Sequence, residues 1–239
     1  MNAALLVSAN PKWSQASGLG AALGQLGFVF TTDPAGRMQE QIKLMLVDGD
    51  SGLPPEGFNG HEGHKARPSC LCLAVVPAGF SADHAALSET APAAYFDGVL
   101  QTPVTLRELA QALARHRYAV LTADACQNLP STLDALACGD HTVAQDLVHL
   151  LLMTDRENLV LLHDALQRQA PDELAEAAHR LNGSLKMLRC TALIKLATCL
   201  EQAAHERDFT AAQALLHLLA DGMKCLDAAL EQLPRNLPA

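Results

Sequence analysis

Apolar positions follow two different rhythms along this chain. Up to about residue 117 they come as short unbroken runs closed by turn residues: AALLV at 3–7, then 28–31, 43–47, 70–76 and 96–101. Runs of this length predict buried strands. Between them the spacing predicts helices at about 17–26, briefly at 37–41, at 81–89, and a clear amphipathic one at 104–116 with Leu106, Leu109 and Leu113 on one face. Strands alternating with helices predict a doubly wound parallel α/β sheet. Residues 49–69 carry no period and are dominated by Gly, Pro and His, so they read as a long loop.

Beyond about residue 130 the apolar positions recur every three or four residues over long stretches, which is helical. A short leading helix is expected at 131–138, with Ser131 as its cap. Residues 140–153 and 154–167 fit either one long, bent helix or two shorter ones. Helices follow at 171–190, 191–205 and 209–232, with short links between them. Four long amphipathic helices joined this way predict an all-α antiparallel four-helix bundle. The change of rhythm puts a boundary in the stretch 118–129, giving an α/β domain at 1–122 and a helical domain at 123–239.

Composition narrows the function. The core is built from Leu and Ala: 49% of the residues are hydrophobic and only 4% aromatic. Formal charge is −9; residues 1–122 hold 10 acidic residues against 8 Lys/Arg, and residues 123–239 hold 16 against 9. An acidic chain with no basic stripe is not built for nucleic acid. It has no apolar run long enough for a membrane span and no secretory leader, so a cytoplasmic location is expected. Seven scattered cysteines, without zinc-finger spacing, fit small reduced core residues. One metal-like cluster stands out: His61 and His64, followed by Cys70 and Cys72. HEGH is not the metalloprotease spacing, and Cys70 and Cys72 alternate with leucines as strand residues would, so no metal is assigned.

The helix at 171–190 carries the constellation with chemical promise. Pro171 suits its first position, and Asp172 and Glu173 suit its electropositive first turn. On a helical wheel Leu174, Leu181, Leu185 and Leu188, flanked by Ala177 and Ala178, face a core. His179 falls on the opposite side, with Asn182, Gly183 and Lys186 around it and Arg180 next in sequence. A helix-interior glycine costs about 1 kcal/mol against alanine. Here it leaves open space beside an imidazole that is nucleophilic near neutral pH. A partner could reach the ring through that space, and nearby donors would stabilise a phosphoryl group on it. An ordinary surface histidine beside a tolerated glycine satisfies the same pattern. His141, His149, His163, His205 and His217 lie in helices too, but none has a small residue beside it in a matching motif.

The run Ala178-His179-Arg180-Leu181-Asn182-Gly183-Ser184 resembles the active helix of histidine-containing phosphotransfer (HPt) domains, above all those that end hybrid sensor kinases. The histidine, glycine and serine match. Asn182 stands where the family has a lysine, and Arg189 where it has a small residue. The resemblance covers about residues 130–232 and implies a phosphocarrier. His179, through Nε2, would take a phosphoryl group from a receiver aspartate and pass it to another receiver. Lys186 and Arg180 would give electrostatic help, Asn182 a neutral hydrogen bond, Gly183 clearance and Ser184 a local hydrogen bond. An apolar patch beside His179 is expected to dock the receiver's first helix. No intrinsic cofactor is expected; the partner receiver brings Mg²⁺.

The first half is similar to a response-regulator receiver over about residues 3–117. Asp48 falls at the place of the phospho-acceptor, and Thr102-Pro103 falls on a Lys-Pro motif. The acidic pair that would hold Mg²⁺ is replaced by Ser8 and Ala9, and the pairing lysine by Thr102. The resemblance thus implies a degenerate receiver, with Asp48 and Asp50 as plain turn residues. The expected partners are the receiver domains of a hybrid sensor kinase and of a response regulator. The rival reading is a non-catalytic scaffold of two eroded modules that binds and modulates such a kinase or regulator; Asn182 and Arg189 speak for it. There is no nucleophile–base–acid set and no Gly-rich nucleotide loop to support an independent enzyme. A start at Met1 fits a free-standing protein.

Overall fold

The apolar runs of the first half form strands, and those at 3–6, 44–48 and 72–76 are buried on both sides. The computed structural model, which describes residues 2–33, 42–49, 70–79, 96–121 and 126–233, pairs them in one parallel sheet. The strands are β1 (Asn2–Val7), β2 (Phe28–Thr31), β3 (Ile42–Asp48), β4 (Leu71–Val76) and β5 (Gly98–Gln101), in the order β2-β1-β3-β4-β5. This is the flavodoxin-like doubly wound order. In β1, Ala3 to Leu6 are each at most 1% exposed, as a central parallel strand requires. One face gathers Ala3, Leu5, Ile42, Met45, Val47 and Cys72.

Three described helices belong to this first unit: α1 (Trp13–Ala16), α2 (Leu19–Gln25) and α3 (Leu106–Arg115). The helix expected at 17–26 is α2, which starts at Leu19, and α1 precedes it as a separate short helix. Gly18 turns the chain at φ +79°, and a Cβ there would lie 2.7 Å from the Val104 carbonyl oxygen. The Val104 N–H donates to the Ser17 carbonyl at 2.7 Å, so a loop from after β5 holds the turn between α1 and α2. α3 starts on a full capping box between Thr105 and Glu108. The helices expected at 37–41 and 81–89, and nearly all of the 49–69 loop, lie outside the described residues.

The second half forms α4 (Leu129–Leu136), α5 (His141–Gln167), α6 (Pro171–Met187), α7 (Thr191–His205) and α8 (Phe209–Gln232). Ser131 does not cap α4. The helix begins two residues earlier with Pro130 in its first turn, and Ser131 Oγ donates to the Asn128 carbonyl. Residues 141–167 are one helix, because its buried positions keep one period from Ala144 to Ala165 without a break. Asp140 caps it by accepting from the N–H groups of Thr142 and Val143. α5 packs on α6, α6 on α7, α7 on α8 and α8 on α5, which closes a four-helix bundle. Gly222 sets how closely α8 approaches α7: a Cβ there would lie 2.5 Å from Leu193 Cδ2.

The bundle's three links share one device. Gln169, Arg189 and Arg207 each take a left-handed backbone conformation just past a helix end. The N–H groups of Ala170, Cys190 and Asp208 then reach back to the carbonyls of Ala165, Leu185 and Ala203. These are Schellman turns. Arg189 is thus the stop of α6, and the small residue of the family pattern would fill the same backbone role without strain. The chain divides into two units, Met1–His116 and Arg117–Ala239. Among the described residues no helix is long and apolar enough to cross a membrane. All seven cysteines are free, and Cys138 and Cys225 are exposed instead of core residues.

Candidate functional site

Burial on α6 follows its wheel. Leu174, Ala177, Ala178, Leu181 and Leu185 are buried, as is Leu188 just past the helix. His179 points away from them, with 71% of its side chain exposed. Its Nδ1 lies 3.0 Å from Glu201 Oε1 on α7. A carboxylate only accepts, so the bond exists with the proton on Nδ1, and in the neutral ring Nε2 keeps its lone pair. Sequence reasoning misses Glu201 because it weighs one helix at a time. The available signal is the symmetry of the link: Glu201 lies as far after Cys190 as His179 lies before it. Thr198 and Asn182 stand in the same relation, and they too are bonded.

That second pair corrects the placing of Asn182. It does not flank His179 at the surface; it is 4% exposed, under α7. Its Nδ2 donates to Thr198 Oγ1 at 3.2 Å, and its Oδ1 is buried with no partner. The wheel sets this position at the edge of the apolar face, and α7 covers that edge. A neutral amide tolerates such cover with one hydrogen bond, which a lysine ammonium would not.

The other residues of the motif separate by face. Gly183 is exposed, and a Cβ on it would meet nothing within 4 Å. Lys186 is exposed in the last turn of α6 with no ion-pair partner among the described residues. Arg180 is held by Glu176 one turn back, at 3.1 Å. Met187 is exposed beyond Gly183, the one large apolar side chain that α6 shows to solvent. Ser184 turns inward, with its Oγ 2.6 Å from Asp155 Oδ1 on α5 and 2.9 Å from the Leu181 carbonyl. Burial pushes the Asp155 carboxyl up to about 6, against the lowering effect of the Ser184 bond, and nearby Asp227 adds to the rise. Burial likewise pushes the Cys190 thiol up to about 12, so it is no nucleophile at neutral pH. His141, His149, His163, His205 and His217 are all exposed.

In the first unit the carboxyl ends of β1 and β3 bring Ser8 and Asp48 together, with Ser8 Oγ donating to Asp48 Oδ2 at 2.6 Å. Asp48 is not a turn residue. It is the last residue of β3, 8% exposed, because pairing with Val75 of β4 carries the strand through it. Asp50 lies outside the described residues. Ala9 adds no side-chain donor. The Thr102 N–H donates to the Val76 carbonyl at 2.8 Å, ahead of a cis Thr102-Pro103 bond. One carboxylate already engaged by a serine does not fit Mg²⁺, which asks for several oxygen ligands in octahedral array. Beside Ser8 lies a cleft of about 260 Å³ reaching Asn10, Trp13, Ser14 and Thr32, with no ionisable side chain among the described residues that line it. Cys72 is buried in β4 and Cys70 packs on the same apolar cluster, while His61 and His64 lie outside the described residues. Among the described residues no three His, Cys, Asp or Glu gather as a metal site.

No curated protein and no solved structure matches the chain. Residues 146–236 match the family model of the Hpt domain. The match runs from the second turn of α5 through α8 and contains His179, Gly183 and Glu201. Over most of its length, therefore, the second unit is similar to Hpt domains, the histidine phosphotransfer modules of two-component phosphorelays.

Proposed function

We propose that this protein is a phosphorelay intermediate in which His179 carries the phosphoryl group from one receiver domain to another. The pair His179–Glu201 supports the reading most directly. An exposed ring with its Nδ1–H committed to a carboxylate presents Nε2 in one tautomer and one direction. The Nε2 lone pair attacks the phosphorus of a receiver aspartyl phosphate. The N–P bond forms as the P–O bond to the aspartyl carboxyl breaks, and that carboxylate leaves with the electron pair. The ring gains positive charge in transit, and the Glu201 carboxylate offsets it. The next receiver's aspartate reverses the step.

Positioning is this chain's share of the catalysis; the receiver brings Mg²⁺ and the groups that hold the transferring phosphoryl. Gly183 gives clearance. Side chains on a helix lean toward its N-terminus, so Lys186 reaches toward the space over Gly183, while Arg180 is partly neutralised by Glu176. Asn182 takes no part, since it is turned into the bundle. Met187 supplies apolar surface for the docked receiver. The first unit acts as a receiver-like module without phosphoryl chemistry of its own and recruits a partner. Partners of this kind place the protein in the cytoplasm.

The test is transfer of radiolabelled phosphate from a panel of phosphorylated receivers to wild type and His179→Gln. Acid-labile, base-stable label on wild type alone is the expected result, and the fastest donor identifies the partner. Receiver binding without label on wild type would sink the phosphocarrier. It would favour a scaffold, the second reading, for which the burial of Asn182 in place of a surface cation is the supporting observation.

A further inference from the structure

Asp155 is the group that the proposed transfer leaves unused. It stands in mid-α5 at 0% exposure, where an unpaired charge is costly. From α6 it meets the Ser184 hydroxyl, 2.6 Å from Oδ1. From α8 it meets Asp227, itself engaged by Arg156 at 3.1 Å. The link between α6 and α7 adds the Cys190 thiol. The neighbouring Arg156 guanidinium is turned to Asp227 and Glu231. Asp155 Oδ2 is buried with no partner at all. One oxygen thus hangs on a single hydroxyl from the His179 helix and the other on nothing, at a position where a leucine would simply complete the core.

We propose that Asp155 is a positioning residue for α6: through Ser184 it sets how firmly the His179 helix is seated on α5, and loss of its proton loosens that seat. The consequence for transfer rests on the phosphocarrier reading; the seat itself does not. A protonated carboxyl is neutral, sits in the core at small cost and can itself donate. An ionised one finds its best relief in water, which it reaches by parting α5 from α6 at this layer. Its rise to about 6 puts the change on the acid side of neutrality. The sign follows from linkage. The acid is weaker in the closed state than in the open one, so the closed seat is favoured at low pH and weakened as pH rises through about 4 to 6. Ser184 follows Gly183 directly and lies little more than one turn from His179, so loosening reaches the clearance the partner needs.

Amide hydrogen exchange on the full chain, corrected for the intrinsic pH dependence, tests this at Gly183, Ser184 and Leu185. Protection there should fall about tenfold between pH 5 and pH 7.5, the factor for a carboxyl moved from its ordinary value to about 6. Asp155→Asn should abolish the step. Ser184→Ala should move it to higher pH, because the carboxylate loses its one bond. A step that survives Asp155→Asn, no step in wild type, or an equal step at every protected amide of α8 would each overturn the proposal. Should the Asp155 variant not fold, NMR titration of the Asp155 side-chain carboxyl and the Ser184 amide in wild type decides. A shared midpoint near 6 supports the seat; a carboxyl midpoint near the ordinary value of about 4 rejects it. None of these readings needs phosphoryl transfer, so a failed His179 assay leaves them intact.

Discussion

On the phosphocarrier reading, Glu201 makes exposed His179 a directed nucleophile, and its charge is what distinguishes it from a mere orienting group. Glu201→Gln keeps an acceptor for Nδ1–H but removes the charge. A charged hydrogen bond is worth about 1.5–3 kcal/mol against about 0.5–1.5 for a neutral one. The variant should therefore transfer roughly tenfold more slowly with an unchanged circular dichroism spectrum. Gly183 makes the opposite trade. With open space around it, Gly183→Ala should raise stability by about 0.5–1 kcal/mol in urea titration while slowing transfer, since on the same reading the added methyl stands where the receiver approaches. Asp155 carries a stability prediction with a sign. Its raised carboxyl destabilises the folded chain increasingly from about pH 4 to 6 and by a constant amount above. The stability difference between Asp155→Asn and wild type should therefore grow with pH, by up to about 2–3 kcal/mol between pH 4 and pH 7.5. A difference that stays flat would contradict the buried carboxylate.

At the scale of elements, α6 is the helix whose function and stability make conflicting demands. Its start is conventional, with Pro171 first and two acids in the first turn. Its middle holds a glycine, and its end holds Arg189 at φ +56°. A left-handed L-residue costs about 1–2 kcal/mol, so Arg189→Gly should stabilise the bundle by about 1 kcal/mol, read as a higher urea midpoint with an unchanged slope. Gln169→Gly and Arg207→Gly should do the same, because they occupy the same place in their links. Gly222→Ala should go the other way. Its methyl would meet buried Leu193 between α7 and α8, and overpacking of about 1–3 kcal/mol outweighs the gain of about 1 kcal/mol in helix propensity. The elements also show where periodicity misleads. The helix read at 17–26 starts only at Leu19, because the carbonyl of Val104 requires a glycine turn at position 18, and no local pattern announces a neighbour more than eighty residues away.

For the whole molecule, the two units carry different chemistry. The bundle has its own core and closes on itself, so residues 117–239 alone should unfold in one cooperative transition and, with the receiver donor saturating, accept phosphoryl at the rate of the full chain. The α/β unit keeps the doubly wound order and ties Asp48 to Ser8. The strands of the sheet, the four bundle helices and the exposed ring of His179 were legible in the sequence, because each depends on the period of apolar positions within one segment or on a local motif. Asn182, Glu201 and Asp155 were not. A wheel shows which face of a helix is apolar, but not which residue of the next helix stands opposite its edge. That register comes from the packing of α6 between α5 and α7. It buries Asn182, brings Glu201 to Nδ1 and leaves Asp155 with one hydroxyl. The sequence by itself determined that a histidine would stand exposed on a helix with room beside it. Only the tertiary structure decided which nitrogen is free and which carboxylate faces it, because those depend on distances between helices that no single helix encodes.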